Sequence, residues 1–236
     1  MDAFSRVKLF LGEEAFEKLN KSSVAVFGVG GVGGFAVEAL CRSGVGAITV
    51  FDSDKIEESN LNRQIIATAE NIGKDKVDAV KERMEAINPS VKITVNKVFY
   101  LPENADEFDL SKFDYVIDAV DTVSAKLEII TRAKAVGVPV ISCMGTGGKT
   151  DITRLKVSDI KKTNGCPLAR VMRRELKNRG IDGVLSVWSD ETSVKTIGEN
   201  DQVKADGKTA PPSLIFVPAT AGLLLAEKVI MDLIKG

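Results

Sequence analysis

Residues 28–33 (GVGGVG) constrain the fold of this chain more than any other segment. They follow the apolar run 24–27 and open a helical stretch, which is the context in which a G-x-G-x-x-G string indicates a nucleotide site. Gly28 permits a tight turn, Gly30 lets the backbone approach phosphate oxygens, and Gly33 lets strand and helix pack closely. The segment therefore predicts a strand, a glycine turn and a helix whose N-terminus can bind an anion.

Short apolar runs alternate with helical stretches along the first part of the chain. Five runs have the nearly continuous apolar character of strands covered on both faces, at 24–27, 48–51, 91–95, 115–117 and 138–141. This alternation predicts an α/β fold with a doubly wound, mainly parallel Rossmann-like sheet. Beyond Gly145, strands at 153–157 and 184–188 and a helix at 167–179 predict antiparallel additions to the same sheet.

The pattern predicts one domain over residues 1–236. An N-terminal helical arm occupies 1–20, the core 22–145, and the additions with a C-terminal helix 146–236. Residues 198–212 are polar, with glycines and two adjacent prolines, which predicts a mobile loop.

Composition excludes several kinds of chemistry. The chain has 236 residues and no histidine, which removes Ser-His and Cys-His nucleophile pairs and imidazole metal sites. Its three cysteines, Cys41, Cys143 and Cys166, form no C-x-x-C pair, so neither a disulfide framework nor a four-cysteine zinc site is expected. The start shows no signal or transit peptide, and the apolar tail 219–226 is far shorter than the ~20 residues that span a bilayer. We expect a cytoplasmic protein without membrane insertion.

Polar residues at the carboxyl ends of the predicted strands indicate the ligand. Asp52 lies 24 residues after Gly28, where a carboxylate accepts hydrogen bonds from ribose hydroxyls. Two cations on one nucleotide site, Arg63 and Lys76, suit a triphosphate better than the pyrophosphate of NAD. Asp118 and Asp121 follow the fourth strand, where a carboxylate can hold Mg²⁺.

The motifs GVGGVG, FDSD (51–54), SNLNRQ (59–64) and DAVDT (118–122), together with Lys76, closely resemble those of the E1-like adenylyltransferases. The resemblance implies ATP and Mg²⁺, with Asp121 as the metal ligand. It implies nucleotide contacts from Gly28, Gly30, Gly31, Gly33, Asp52, Asp54, Asn60, Arg63, Gln64, Lys76 and Asp121. Phe4-Ser5-Arg6 resembles the signature whose arginine reaches the partner subunit's ATP site, which implies a homodimer. Catalytic roles then fall to Arg6, Arg63, Lys76 and Asp121.

Two departures narrow this resemblance. The C-x-x-C zinc pairs usual in activators of sulfur-carrier proteins are absent, and 236 residues leave no room for the catalytic-cysteine domain of eukaryotic E1 enzymes. The strings ISCMG (141–145), KKT (161–163), CPLARVMR (166–173) and FVPATAG (216–222) resemble the branch that dehydrates threonylcarbamoyl-adenosine beside the tRNA anticodon. That branch implies adenylation of the threonine carboxylate and ring closure by a carbamoyl nitrogen. Adenylation of a carrier protein's Gly-Gly terminus, NAD-dependent oxidoreduction and non-catalytic nucleotide binding are the alternatives.

A basic segment supports a tRNA partner. Residues 149–179 carry ten Lys or Arg and three acidic residues, a net charge of +7. At 100° per residue, part of the set falls within an arc of about 100° on one helix face. Such a stripe can follow phosphates in a salt-dependent way. The predicted tRNA contacts are Lys161, Lys162, Arg170, Arg173, Arg174 and Lys177.

The sequence leaves three further points open. These are a reactive role for Cys166 at the start of a helix, a monovalent cation, and help from a sulfur-transfer protein of a cysteine desulfurase system.

Overall fold

The structure of this protein is a computed structural model that describes residues 2–194 and 211–235. Its centre is a seven-stranded sheet with the order β3-β2-β1-β4-β5-β7-β6. The first five strands are β1 (Ser23–Phe27), β2 (Ala47–Phe51), β3 (Lys92–Asn96), β4 (Tyr115–Asp118) and β5 (Val140–Cys143). They pair in parallel, with Val26 opposite Val50 on one side and Ile117 on the other. The predicted doubly wound sheet is confirmed.

Helices cover both faces of the sheet. They are α1 (Ser5–Leu11), α2 (Glu13–Lys21), α3 (Gly33–Arg42), α4 (Lys76–Ile87), α5 (Val123–Ala135), α6 (Pro167–Asn178) and α7 (Phe216–Leu233). Val24 and Val26 pack on the face that α3, α4 and α7 cover, whereas Ala25 and Phe27 pack on the face of α5 and α6. Because successive side chains of a strand point to opposite faces and both faces are covered, β1 is apolar and buried from Val24 to Phe27.

The C-terminal additions join the same sheet through two strands. β7 (Leu185–Ser189) pairs with β5 in parallel, and β6 (Leu155–Asp159) pairs with β7 in antiparallel fashion. Only β6 among the described strands is therefore antiparallel. β6 begins two residues later than predicted, after a short 3₁₀ turn at Ile152–Arg154.

The two ends of the chain are helical. α1 buries none of its residues, whereas α2 buries Phe16 and Leu19 against the domain. The predicted loop 198–212 lies mostly outside the described residues. Within 2–194 and 211–235, every helix is too short or too polar to cross a bilayer.

Candidate nucleotide-binding site

The glycine loop connects β1 to α3 at the carboxyl edge of the sheet. Gly28 has a φ of +81°, and a Cβ atom there would lie 2.9 Å from the carbonyl oxygen of Ala119. At Gly33, a Cβ atom would lie 1.8 Å from the carbonyl oxygen of Gly28. Both positions therefore require glycine. At Gly30 the nearest atom to such a Cβ is the Gln64 Nε2 at 3.7 Å, so the loop backbone stays accessible on that side.

Asp52 ties the glycine loop to the end of β2. Its Oδ2 accepts a hydrogen bond from the Val29 N–H at 2.8 Å, and its Oδ1 accepts one from the Asp54 N–H at 2.9 Å. Burial raises the pKa of Asp52, and the charge of Lys76 and the two backbone hydrogen bonds offset part of that shift. Asp52 therefore lies where the ribose of a bound nucleotide is expected. Both of its carboxylate oxygens already accept hydrogen bonds from backbone N–H groups.

The segment after β2 folds over the glycine loop through a 3₁₀ turn at Glu58–Asn60. Buried Asn60 accepts a hydrogen bond from the Glu57 N–H at 3.2 Å, which fixes this turn. The half-buried Arg63 donates from Nη1 to the Ser59 carbonyl at 2.7 Å and to the Asn62 Oδ1 at 2.9 Å. Burial lowers the pKa of Arg63, yet arginine stays protonated in proteins. The Cγ of Arg63 lies 3.4 Å from the position of a Cβ on Gly31, so this cation lies beside the loop.

Gln64 carries the feature that most favours a ligand here. Its side chain is buried beside Gly30, and its Oε1 has no hydrogen-bond partner among the described residues. A buried polar atom left unpaired costs free energy. A half-turn of the terminal amide presents either its oxygen or its NH₂ group. The amide can therefore bind a polar ligand at the glycine loop, and a phosphate would accept from its NH₂ group.

Lys76 is the first residue of α4, and its side chain is 7% exposed. Its Nζ donates to the Asp54 Oδ2 at 2.7 Å, and its backbone N–H donates to the Asp54 carbonyl at 2.9 Å. Asp54 is exposed, so this ion pair lies at the rim of the site. The structure thus brings Lys76, Asp52 and Asp54 together at one edge of the sheet.

Asp118, the last residue of β4, and Asp121, in the loop that follows it, have different surroundings. Asp118 is fully buried, and its Oδ2 accepts from the Lys126 Nζ at 2.9 Å and from the Ser142 Oγ at 2.5 Å. It is therefore unsuited to bind a metal ion, contrary to the expectation from its position. Asp121 is exposed at the start of the loop to α5. Sequence reasoning missed Lys126, although the buried residues Ala125, Ile129 and Ile130 place it on the inner face of α5.

The site fits a magnesium nucleotide better than a metal held by protein alone. Among residues 2–194 and 211–235, no cluster of three or more Cys, Asp or Glu is arranged to hold a metal ion. Mg²⁺ in nucleotide enzymes is commonly bound by one or two carboxylates together with substrate phosphates. Asp121 with a triphosphate on the glycine loop would match that pattern.

The structure separates the predicted basic contacts into two groups. Three are engaged within the chain: Lys161 pairs with Asp182 at 2.6 Å, Arg174 pairs with Glu175 at 3.0 Å, and Arg173 donates to the Thr163 carbonyl at 2.6 Å. Three are exposed and form no ion pair with the described residues: Lys162, Arg170 and Lys177. The first turn of α6 lies beside the end of β5, since the Cys166 Sγ is 3.7 Å from the position of a Cβ on Gly145.

Arg6 is not part of the site that this chain builds by itself. It is exposed on α1 and forms no hydrogen bond or ion pair with the described residues. On the same helix, Leu9 and Phe10 are each 85% exposed.

The cysteines are all free and buried. Burial raises the pKa of Cys41 to about 11 and that of Cys143 to about 12, so both thiols are protonated at neutral pH. Cys166 is only 3% exposed, which leaves its sulfur little access to a reagent.

Comparison with known proteins identifies the group to which this geometry corresponds. The sequence profile of the ThiF family matches residues 4–234. The chain belongs to the ThiF family. The tRNA threonylcarbamoyladenosine dehydratase of Bacillus subtilis (strain 168) is 42% identical to it over 240 residues, covering 98% of this chain and 94% of that relative. The Escherichia coli (strain K12) protein of the same name is 38% identical over 191 residues, covering 78% of this chain and 71% of that relative.

A solved crystal structure shows that the similarity extends to the fold. The crystal structure of the E. coli tRNA N6-threonylcarbamoyladenosine dehydratase in complex with ATP superimposes with a TM-score of 0.88 at 32% identity. The match covers 99% of this chain and 94% of that one. The fold of this ThiF-family member is therefore that of a protein that binds ATP.

Proposed function

We propose that this protein is an ATP-dependent dehydratase of threonylcarbamoyl-adenosine in tRNA. The observation that carries the proposal is the similarity to the B. subtilis dehydratase, which spans nearly the full length of both chains at 42% identity. The nucleotide site supports it independently, because the glycine loop, Asp52, Arg63, Gln64 and Lys76 lie together at one edge of the sheet.

The reaction has two steps. A carboxylate oxygen of the threonine attacks the α-phosphorus of ATP, which forms an acyl-adenylate and releases pyrophosphate. A nitrogen of the substrate's own carbamoyl group then attacks the activated carbonyl carbon, loses its proton and expels AMP. The ring that forms lacks one water relative to the starting nucleoside. Because the nucleophile is part of the substrate, proximity supplies much of the rate and no enzyme cysteine is needed.

The chain's residues have distinct roles in the first step. Asp52 accepts hydrogen bonds from the ribose, while the amides of the glycine loop and Gln64 bind phosphate oxygens. Lys76 and Arg63 stabilise the negative charge that builds on those oxygens in the transition state. The buried Asn60 fixes the turn that carries Arg63. Asp54 keeps the Lys76 ammonium oriented before ATP binds.

Asp121 would hold Mg²⁺. When bound, the ion offsets charge on the phosphates and on the pyrophosphate leaving group.

The active protein is a homodimer in this proposal, with Arg6 from one protomer completing the ATP site of the other. The support is that α1 buries none of its residues and presents Leu9 and Phe10 to solvent. Such exposed apolar side chains are typical of protein interfaces.

In this proposal residues 22–145 bind ATP, and the tRNA lies against the additions at 146–236. The two parts belong to one domain, because the strands of the additions extend the same sheet. The exposed cations Lys162, Arg170 and Lys177 are the ones available to tRNA phosphates. A monovalent cation, a sulfur-transfer protein and a cytoplasmic location stay predictions.

Release of pyrophosphate and of AMP with different acceptors tests the proposal. The purified protein, ATP and Mg²⁺ are incubated with tRNA carrying threonylcarbamoyl-adenosine, with the same tRNA lacking the modification, or with a carrier protein ending in Gly-Gly. We expect both products only with the modified tRNA, because adenylation releases pyrophosphate and ring closure then releases AMP. Pyrophosphate release with the carrier protein alone, whose acyl-adenylate keeps its AMP, would instead identify an adenylyltransferase of carrier-protein tails.

A further inference from the structure

Lys126 and Asp118 form a fully buried ion pair. Both side chains are 0% exposed, and the Nζ of Lys126 lies 2.9 Å from the Oδ2 of Asp118. A buried ion pair commonly gives no more stability than apolar residues of the same volume, because both charges lose their hydration. The pair is therefore poorly explained by stability alone, and its other contacts indicate a different role.

Those other contacts hold the backbone of one residue, Val120, at both its N–H and its carbonyl group. The Lys126 Nζ also donates to the carbonyl oxygen of Val120 at 2.9 Å, and the Asp118 Oδ1 accepts from the Val120 N–H at 3.2 Å. The Ser142 Oγ donates to the Asp118 Oδ2 at 2.5 Å and so connects β5 to the same group. Both backbone polar groups of Val120 are thus fixed, and the next residue is Asp121.

The same segment lies directly against the glycine loop. The Ala119 N–H donates to the Phe27 carbonyl at 2.8 Å. A Cβ atom on Gly28 would lie 2.9 Å from the Ala119 carbonyl oxygen and 3.2 Å from the Val120 nitrogen. Any shift of residues 119–120 would therefore change the separation between Asp121 and the loop that binds phosphate.

We propose that Lys126 is a positioning residue that, through Asp118 and the backbone of Val120, sets how tightly the ATP site binds Mg²⁺. Lys126 itself is buried and does not touch the nucleotide. The inference rests on the proposed function in one respect, which is that Asp121 binds the metal of a magnesium nucleotide. It is analogous to the hydrogen-bonding partners that orient metal ligands in other proteins.

The test replaces both charges at once so that no buried charge is left unpaired. In the double variant Asp118→Asn with Lys126→Met, the donor to the Val120 carbonyl is lost while the volume is nearly kept. ATP binding is measured by titration calorimetry in EDTA and over a series of Mg²⁺ concentrations. We expect the Mg²⁺ concentration for half-maximal enhancement of binding to rise about 10- to 100-fold, with the affinity in EDTA unchanged.

A matched control distinguishes a positioning role of Lys126 from a general effect of removing a buried ion pair. Glu38, whose side chain is 9% exposed, pairs with Arg83 at 2.7 Å between α3 and α4. Glu38→Gln with Arg83→Met should leave the Mg²⁺ dependence of ATP binding at the wild-type value. Melting temperatures of both double variants report whether they are folded.

A milder variant, Ser142→Ala, removes only one hydrogen bond to Asp118 and keeps the test available if the double variant fails to fold. It should shift the Mg²⁺ dependence in the same direction by a smaller factor. A wild-type Mg²⁺ dependence in a folded double variant, or in Ser142→Ala where the double variant is unfolded, would overturn the inference. A wild-type protein that binds ATP without any Mg²⁺ effect would instead contradict the metal role of Asp121 in the proposed function.

Discussion

The Oδ2 of Asp52 accepts a hydrogen bond from the backbone N–H of Val29 at 2.8 Å, although the two residues belong to different βα units. The carboxylate that is expected to bind the ribose therefore also holds the loop that is expected to bind the phosphates. A change at Asp52 should affect both parts of the nucleotide at once.

Replacing Asp52 by Asn should weaken ATP binding and destabilise the fold. Both oxygens of Asp52 accept from backbone N–H groups, whereas an amide offers one oxygen and one NH₂, so one N–H would face another donor. We expect a loss of about 1–3 kcal/mol in the free energy of unfolding, measured with urea, together with weaker ATP binding by calorimetry. Asp109→Asn is the control, since Asp109 accepts from the Ser111 N–H at 3.0 Å far from the site. Equal ATP affinity in wild type and Asp52→Asn would contradict the assignment.

The raised pKa of Asp52 gives opposite pH trends for stability and for binding. Between its ordinary value of 3.8 and the raised value, the folded chain keeps a proton that the unfolded chain has lost. This group's contribution to stability is therefore fully present below the ordinary pKa and is lost as pH rises through the raised one. ATP binding should instead weaken as pH falls through the raised pKa, because a protonated carboxyl is a poorer acceptor.

The measurement of this pH dependence compares wild type with Asp52→Asn from about pH 3 to about pH 6. The phosphates of ATP titrate in both proteins, so the difference between the two curves reports Asp52. A difference that does not change with pH would show that Asp52 does not titrate in this range.

Lys76 should be needed for turnover but not for folding. Lys76→Met removes the buried cation from the edge of the glycine loop, and we expect turnover to fall by about 10²- to 10³-fold. The control on the same helix is Lys81→Met, because Lys81 is exposed and pairs only loosely with Glu85 at 3.8 Å. AMP release and melting temperature are measured for both. A Lys76→Met protein with wild-type turnover would exclude Lys76 from the chemistry.

Arg6 should act across the dimer. Arg6→Ala and Lys76→Met are each expected to be nearly inactive alone. In a mixed dimer, the site with an intact Lys76 receives Arg6 from the other protomer, so an equal mixture should recover about a quarter of wild-type activity. The readout is AMP release after unfolding and refolding the variants together.

Sedimentation of the same samples provides the control for this complementation. The Arg6→Ala protein should sediment as a dimer, like wild type. A fully active monomer, or a mixture with no recovered activity, would contradict a role for Arg6 in the partner's site.

The exposed cations of the C-terminal half should contribute to tRNA binding in a salt-dependent way. Changing Lys162, Arg170 and Lys177 to Gln should reduce the slope of log affinity against log salt by about 0.7–0.9 for each tRNA phosphate that the variant no longer neutralises. A triple variant of matched charge outside the C-terminal additions, with the exposed Lys21, Lys92 and Lys112 changed to Gln, should leave the slope unchanged. Equal slopes in both triple variants would remove these residues from the tRNA surface.

Most of the sheet could be predicted because its central strands, β1, β4 and β5, are buried on both faces and are therefore mostly apolar. The glycine loop was predictable for a similar reason, since Gly28 and Gly33 sit where any Cβ would clash with backbone. These features depend on local sequence and on the sheet edge where parallel strands end.

The exact ends of strands were predicted less accurately, because they depend on hydrogen bonds that the apolar pattern does not show. β5 was expected at 138–141, but its pairing with β4 begins at Val140, because the Val138 N–H closes the preceding helix on the Ala133 carbonyl. β6 was expected from residue 153, but Asp151 accepts from the Thr153 N–H and forms a 3₁₀ turn first.

In the candidate site, too, positions set by the local sequence were predicted, and surroundings set by residues distant in the sequence were not. The positions of Asp52 and Lys76 follow from the strand and helix that carry them. The burial of Asp118 depends on Lys126 and Ser142, which come from α5 and β5. Its place directly after the apolar run 115–117 therefore suggested a metal ligand when the sequence was considered alone.

The most direct test of the dehydratase activity is the mass of the modified nucleoside. The purified protein is incubated with tRNA carrying threonylcarbamoyl-adenosine, Mg²⁺ and ATP, and a parallel sample omits ATP. The tRNA is then digested under mild conditions, and the nucleosides are weighed by mass spectrometry. We expect a nucleoside lighter by one water only in the sample that contains ATP. An unchanged nucleoside, from protein shown to be folded and to bind ATP, would contradict the proposed activity.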